Sequence, residues 1–265
     1  MGDLESELLR LGVVFTLVLA RVGAVVASAP LLSDASLPAR VKALLAVSLS
    51  ALVTPMVLAD PGVSLAATEA PRNLAGLGVL VGGEAIVGLT LGLAVTVLLS
   101  GVQLAGQLVG QMSGMALAET SSSPFGDSST VFGQVYYLVA TAVFVACGGH
   151  RMLVEATLDT FAKAPPGQAI ASEELLMGVI GLLGVGFELG VRAAAPLLLA
   201  LLLATVVLGL ISRTMPQINT MVVGFGVNAL LMLGVMTASI GAAAWAFQAP
   251  IAHTLESLVA SVGAG

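Results

Sequence analysis

The stretch AIVGLTLGLAVTVLLSGVQLAGQLVGQMSGMALA, residues 85–118, runs for 34 positions without a charged side chain. Crossing roughly 30 Å of hydrocarbon takes about 20 helical residues, so the run exceeds one crossing. As a straight helix it would be about 51 Å long; it must tilt, bend, fold into a hairpin or project beyond the bilayer. A transmembrane barrel strand would alternate apolar with polar residues, and this run does not. The whole chain agrees: 58% of its 265 residues are hydrophobic and 9% charged, against about 25% charged in a soluble domain. Such a chain cannot clothe itself in a solvated surface, so lipid is its solvent. Aromatics make up 4%, and 31 glycines are scattered among Leu, Val and Ala, which suits close helix packing in a membrane. The fold class is therefore all-α, a multi-helix integral membrane protein.

Working outward from that run, a first span covers residues 8–32 and is interrupted by Arg21. A second, 43–59, stops at Asp60-Pro61-Gly62, a strong helix-ending triplet. A fourth covers 128–150, with Ser129 or Thr130 as N-cap and Gly148-Gly149 at its end. A fifth covers 175–211 and contains Glu188 and Arg192, and an uncharged sixth stretch covers 214–252. This makes about six long hydrophobic helices, some of them hairpins rather than simple spans, in one helical unit over 1–265 without a fixed-period repeat. Loop cations do not orient it: Arg40, Lys42 and Arg213 would lie on one side, Arg10, Arg72, Arg151 and Lys163 on the other. The acidic start, Asp3, Glu5 and Glu7, is unlike the positive segment of a cleaved secretory signal.

Between residues 102 and 119 Gly106, Gly110 and Gly114 recur every four residues and stack on nearly one helix face. Gln103, Gln107 and Gln111 form a parallel stripe, continued by Met115 and Glu119. The glycine face invites a second backbone to pack closely. The glutamine face cannot be left against lipid, where each unsatisfied amide costs a few kcal/mol. Interhelical hydrogen bonding satisfies it, and so does the wall of a wet passage. Then follows a serine-rich segment with Pro124 and Gly126, a loop by composition. Met112, Met115 and Phe125 near this junction could form a yielding apolar constriction or serve as membrane-core filler.

The charges inside apolar runs are Arg21, Glu84, Glu188 and Arg192. Such charges cost several kcal/mol unless paired or hydrated. Glu188 and Arg192, four apart, can pair along one helix; Arg21 and Glu84 can pair between helices. Structural pairing and a proton relay are the two readings. Enzyme chemistry is unsupported: Cys147 is alone, His150 and His253 lie far apart, and no metal-ligand cluster or phosphate loop occurs. His150 after two glycines suits a helix end, and Glu173-Glu174 suit a helix start. No cofactor is implied, and no basic cluster suggests nucleic acid.

The order of several fragments resembles the FliR family of flagellar biosynthesis proteins, including its counterpart in injectisome-type secretion. They are Ala20-Arg21-Val22-Gly23, Ala29-Pro30-Leu31, Leu37-Pro38-Ala39-Arg40-Val41, Gly83-Glu84 through Gly88, Gln103 through Gln107, and Gln111-Met112. Gly148-Gly149-His150, Ala195-Pro196-Leu197 and Arg213-Thr214-Met215-Pro216-Gln217-Ile218-Asn219 complete the series. The resemblance implies an export-gate subunit of the bacterial inner membrane, in a flagellar basal body or injectisome, with FliP-, FliQ-, FlhB- and FlhA-like partners and unfolded secreted proteins as cargo. It implies a FliP-like N-terminal part and a FliQ-like C-terminal part, a plug near 111–130, and a subunit interface at Pro216, Gln217 and Asn219. The chain departs from the family pattern at Ser123-Pro124-Phe125, where an Asp-Pro pair is common, and near Asn228, where a lysine is common. A transporter of small solutes is the alternative, but it would carry two related halves; a purely structural scaffold is the third reading.

Overall fold

The computed structural model describes residues 2–33, 37–59, 74–113, 130–169, 173–215, 217 and 220–262. Among these residues there are seven helices and no strand: α1 Gly2–Ser28, α2 Ala39–Ala59, α3 Leu74–Met112, α4 Val131–Ala146, α5 Gly149–Lys163, α6 Glu173–Thr214 and α7 Thr220–Val262. Four of them, α1, α2, α3 and α6, are long and apolar enough to cross a membrane, and α4 with α5 would add a fifth, broken span.

Residues 85–112 of the 34-residue run that decided the fold class lie in α3, one continuous helix of 39 residues; 114–118 lie outside the described residues. Over 85–112 the chain is therefore not a hairpin. The helix also begins eleven residues before the uncharged run, because Glu84, fully buried inside it, meets a buried cation and does not break it. Residues 175–211 likewise lie in one helix of 42 residues, α6, and 220–252 in one of 43 residues, α7, with Pro196 and Pro250 inside them. Glu173 and Glu174 stand in the first turn of α6, where the helix dipole favours them.

Thr130 is the N-cap of α4: its backbone is extended and its Oγ1 accepts a hydrogen bond from the Gly133 N–H at 3.1 Å. That span was expected to reach His150, but the helix stops at Ala146. Gly148, at φ +75°, turns the chain in a conformation that costs a side-chain-bearing residue about 1–2 kcal/mol. α5 then starts at Gly149, so His150 sits exposed at the start of a helix that the apolar-run reading left out. The reason is amphipathicity. Leu153, Ala156, Thr157, Thr160 and Phe161 are buried, while Arg151, Glu155, Asp159 and Lys163 are exposed; a search for about 20 apolar residues passes over such a segment.

The chain forms two compact units that interleave in sequence: Met1–Val97 with Gly148–Leu183 and Ile251–Gly265, and Leu98–Cys147 with Gly184–Pro250. In the first unit, Val14, Val18, Val22 and Val26 recur every four residues on α1 and pack with Ala46 and Val57 of α2 and Phe161 of α5. Gly88 and Gly92 of α3 let it approach α1, since a Cβ at either would strike Arg21, Ala24 or Ser28. Thr96 Oγ1 ties the same helices by donating to Ser28 O at 2.8 Å. A smaller cluster joins Val87, Ala164, Leu175 and Val262. In the second unit α3 meets α6 through glycines. A Cβ at Gly101 would collide with the Gly186 backbone, and one at Gly190 with the Gly101 backbone.

Candidate functional site

The C-terminal part of α3, in the second unit, carries the amide and glycine stripes. A Cβ at Gly106 would lie 2.6 Å from Phe132 O and 2.9 Å from Gly133 Cα. At Gly110 it would lie 3.1 Å from Thr130 Oγ1. The glycine face thus receives the N-terminal turn of α4, and Gly133 answers it from the other helix, where a Cβ would stand 2.9 Å from Gln107 Cγ.

The glutamine stripe is graded along the helix. Gln103 and Gln107 are half-buried, and the stem of Gln107 covers Gly133; Gln111 is exposed, and beside it Met112 is 49% exposed. Their amides therefore pass from a packed setting to an open one toward the helix end. Gly114, Met115 and Phe125 lie outside the described residues, as does the serine-rich segment.

Ser113, the residue directly after α3, is buried. Its N–H donates to Val109 O at 3.0 Å and its Oγ to Gly110 O at 2.7 Å. Its carbonyl accepts a hydrogen bond at 3.2 Å from Nδ2 of Asn228, a residue of α7 buried in the same unit. Asn228 and Ser113 are 115 residues apart. In the sequence Asn228 stood out only through the resemblance, which implies a lysine near this position.

The first unit holds the charged node. Arg21 Nε donates to Glu84 Oε2 at 2.6 Å, with neither side chain exposed. The other guanidinium nitrogens donate to Thr160 Oγ1 at 3.1 Å and Ala164 O at 2.9 Å, and the guanidinium carbon lies 4.2 Å from the centroid of the Phe161 ring. The remaining carboxylate oxygen of Glu84 accepts the Gly167 N–H at 2.7 Å. Gly167 has φ +87°, available in the Pro165-Pro166-Gly167 turn because no side chain opposes it. α1, α3, α5 and the turn after α5 converge on one ion pair whose charged atoms are all engaged by protein. Pairing between Arg21 and Glu84 was an open option in the sequence; Thr160, Phe161 and Gly167 were not singled out, nor was the Pro-Pro-Gly triplet, whose composition favours a turn.

Glu188 and Arg192 pair at 2.6 Å along α6, but their side chains are 58% and 72% exposed within the chain. The two ion pairs within apolar helices thus differ in kind: one is closed inside a unit, the other is exposed within the chain. Gln217 is exposed, while Pro216 and Asn219 lie outside the described residues. Among the described residues no group of three or more His, Cys, Asp or Glu side chains is arranged to hold a metal ion.

Known proteins share this chain's sequence over most of its length. It is 25% identical over 227 residues to the flagellar biosynthetic protein FliR of Caulobacter vibrioides, covering 86% of this chain and 88% of the relative. It is 27% identical over 220 residues to FliR of Escherichia coli, covering 83% and 81%. The secretion system apparatus protein SsaT of Salmonella typhimurium is 23% identical over 155 residues, 58% and 60% of the two chains. The family model described as bacterial export proteins, family 1, matches residues 13–254. An all-helical membrane chain matched from α1 to the last turns of α7 belongs to that family, the FliR family of export proteins.

Proposed function

We propose that this chain is a subunit of the flagellar or type III protein export gate. With FliP- and FliQ-like proteins it forms a helical channel in the bacterial inner membrane through which unfolded proteins are secreted. FlhB- and FlhA-like proteins are its further partners. Its N-terminal part plays the FliP-like role and its C-terminal part the FliQ-like role, and the segment near 111–130 helps to close the passage. Relatives named for flagellar biosynthesis and for a secretion apparatus support an export role.

The observation that carries the channel reading is the end of α3. Gln111 and Met112 stand open there, beyond two half-buried glutamines, where the chain enters the serine-rich segment. Amides offer an unfolded chain transient hydrogen bonds without a strong site, and methionine yields to varied side chains. Deleting Ser121–Ser129 raises leakage of small ions through the assembled gate on this reading; unchanged permeability sinks the plug. A stalled substrate crosslinks to a photoreactive group at Gln111 if this surface is wall, and fails to do so if the chain is only scaffold.

The Arg21–Glu84 node belongs to the frame of this gate rather than to a proton path. Both carboxylate oxygens are held by protein donors, and neither side chain reaches solvent.

A further inference from the structure

Within the first unit, α5 and the last turns of α7 leave a groove between them, a cavity of about 500 Å³. Voids inside a packed protein seldom exceed the size of a water molecule, so this is an opening rather than a packing defect. From Met152 to Lys163 it runs about 16 Å along α5, three helical turns. The floor is apolar: Ala156, Leu255 and Val259 are buried, and Met152 is half-buried. The walls are charged. Asp159 of α5 and Glu256 of α7 line the groove as exposed side chains, and among the described residues neither belongs to an ion pair. Glu155, a third acid on the wall, is held by Arg151 at 2.8 Å. Lys163 closes the lining at the C-terminal end of α5.

Two unpaired carboxylates, one from each helix, above an apolar floor discriminate between occupants. A phospholipid would bring its anionic phosphate against an acidic wall. A second copy docked about a two-fold axis would set these acids against themselves, because such a contact uses the same patch on both subunits. A helix of another protein with an apolar stripe and a cation suits both floor and walls. We propose that this groove docks an amphipathic helix of a partner protein, with one Arg or Lys seated between Asp159 and Glu256 and its apolar stripe on Ala156, Leu255 and Val259. Lys163 sets the direction: the part of the partner lying over the C-terminal end of α5 is neutral or acidic. Membership of an export gate does not specify this surface, and the partner is defined by its stripe and charge.

The test uses the full chain carrying Cys147→Ser and Ala162→Cys, since Ala162 is an exposed residue of the groove wall. Labelling by an aqueous maleimide is timed in permeabilised membranes, in the chain purified from its neighbours in detergent, and in that chain within nanodiscs of phosphatidylethanolamine and phosphatidylglycerol. It is expected to be roughly tenfold slower in the membranes than in detergent or nanodiscs. Adding Asp159→Asn and Glu256→Gln is expected to return membrane labelling to within about twofold of the isolated chain. Both substitutions change exposed side chains, and circular dichroism of the isolated variants verifies that the helices persist. Equal rates in membranes and detergent overturn the docking. So does protection in nanodiscs, which makes lipid the occupant, and so does protection that grows with the concentration of the isolated chain, which makes it a second copy. Protection in membranes that survives the two neutral substitutions overturns the basic seat. Mass spectrometry of the chain's neighbours judges the gate reading separately: charge-dependent protection without FliP- or FliQ-like proteins beside the chain upholds the groove and removes that reading.

Discussion

A guanidinium and a carboxylate withdrawn from solvent each lose several kcal/mol of hydration, and only full pairing makes their burial tolerable. Arg21 and Glu84 meet that condition through Thr160, Ala164 and Gly167. Replacing either charge alone strands the other. Arg21→Leu or Glu84→Leu is expected to cost about 3–5 kcal/mol and to deplete the chain from assembled complexes. Combining the two apolar replacements restores much of the loss, and quantifying the assembled complex in single and double variants checks this. A double variant as depleted as the worse single one contradicts the account. Glu188→Gln changes an exposed helical pair instead and should leave both assembly and export intact; selective loss of export with normal assembly would favour the proton-relay reading for Glu188. At Gly167, Gly167→Ala imposes a side chain on a left-handed backbone and costs about 1–2 kcal/mol, seen as a lower unfolding temperature.

Between helices, small residues decide which pairs approach. The sequence pattern of Gly106, Gly110 and Gly114 pointed to one packing face, and the first two do receive α4. The closest approaches lie elsewhere on α3, at Gly88 and Gly92 against α1 and at Gly101 against Gly186 of α6. No pattern separates these glycines from Gly209, where a Cβ meets nothing within 4 Å. The contrast yields a paired prediction. Gly101→Ala drives a methyl into the Gly186 backbone and lowers the thermal stability of the complex, whereas Gly209→Ala is neutral or gains up to about 1 kcal/mol from helix propensity. Equal effects at the two sites, measured by thermal unfolding in detergent, would contradict this packing. Thr130→Val tests the start of α4 in the same way: losing the cap costs about 1 kcal/mol.

Across the whole chain the apolar surface is unevenly covered. In the most apolar window of α3 61% of residues are buried, and in that of α6 17%. α6 thus presents Leu199, Leu203 and Leu210 to whatever surrounds the chain, each more than 60% exposed. Lipid or neighbouring subunits must cover that surface, because water would not leave it stable. With Cys147 replaced by Ser, a cysteine at Leu203 should resist aqueous maleimide in intact membranes, while one at the 80% exposed Arg151 should react. Rapid labelling at Leu203 would place that face in water and favour a lining role for α6.

Much of this architecture was legible before any coordinates. Composition and uncharged runs determine an all-helical membrane chain, and the Thr130 cap and the acidic start of α6 read directly from local patterns, because periodicity and capping act over a few residues. α5 escaped because its charges alternate with its core positions, and a span search rewards only uninterrupted apolarity. What the tertiary structure alone decided is long-range: Arg21 with Glu84 at 63 residues' separation, Ser113 with Asn228 at 115, and the choice of Gly101 over Gly209 as a contact. A single sequence states which side chains need partners in an apolar medium. It does not state which partner each one finds, since that depends on how separate helices pack in space.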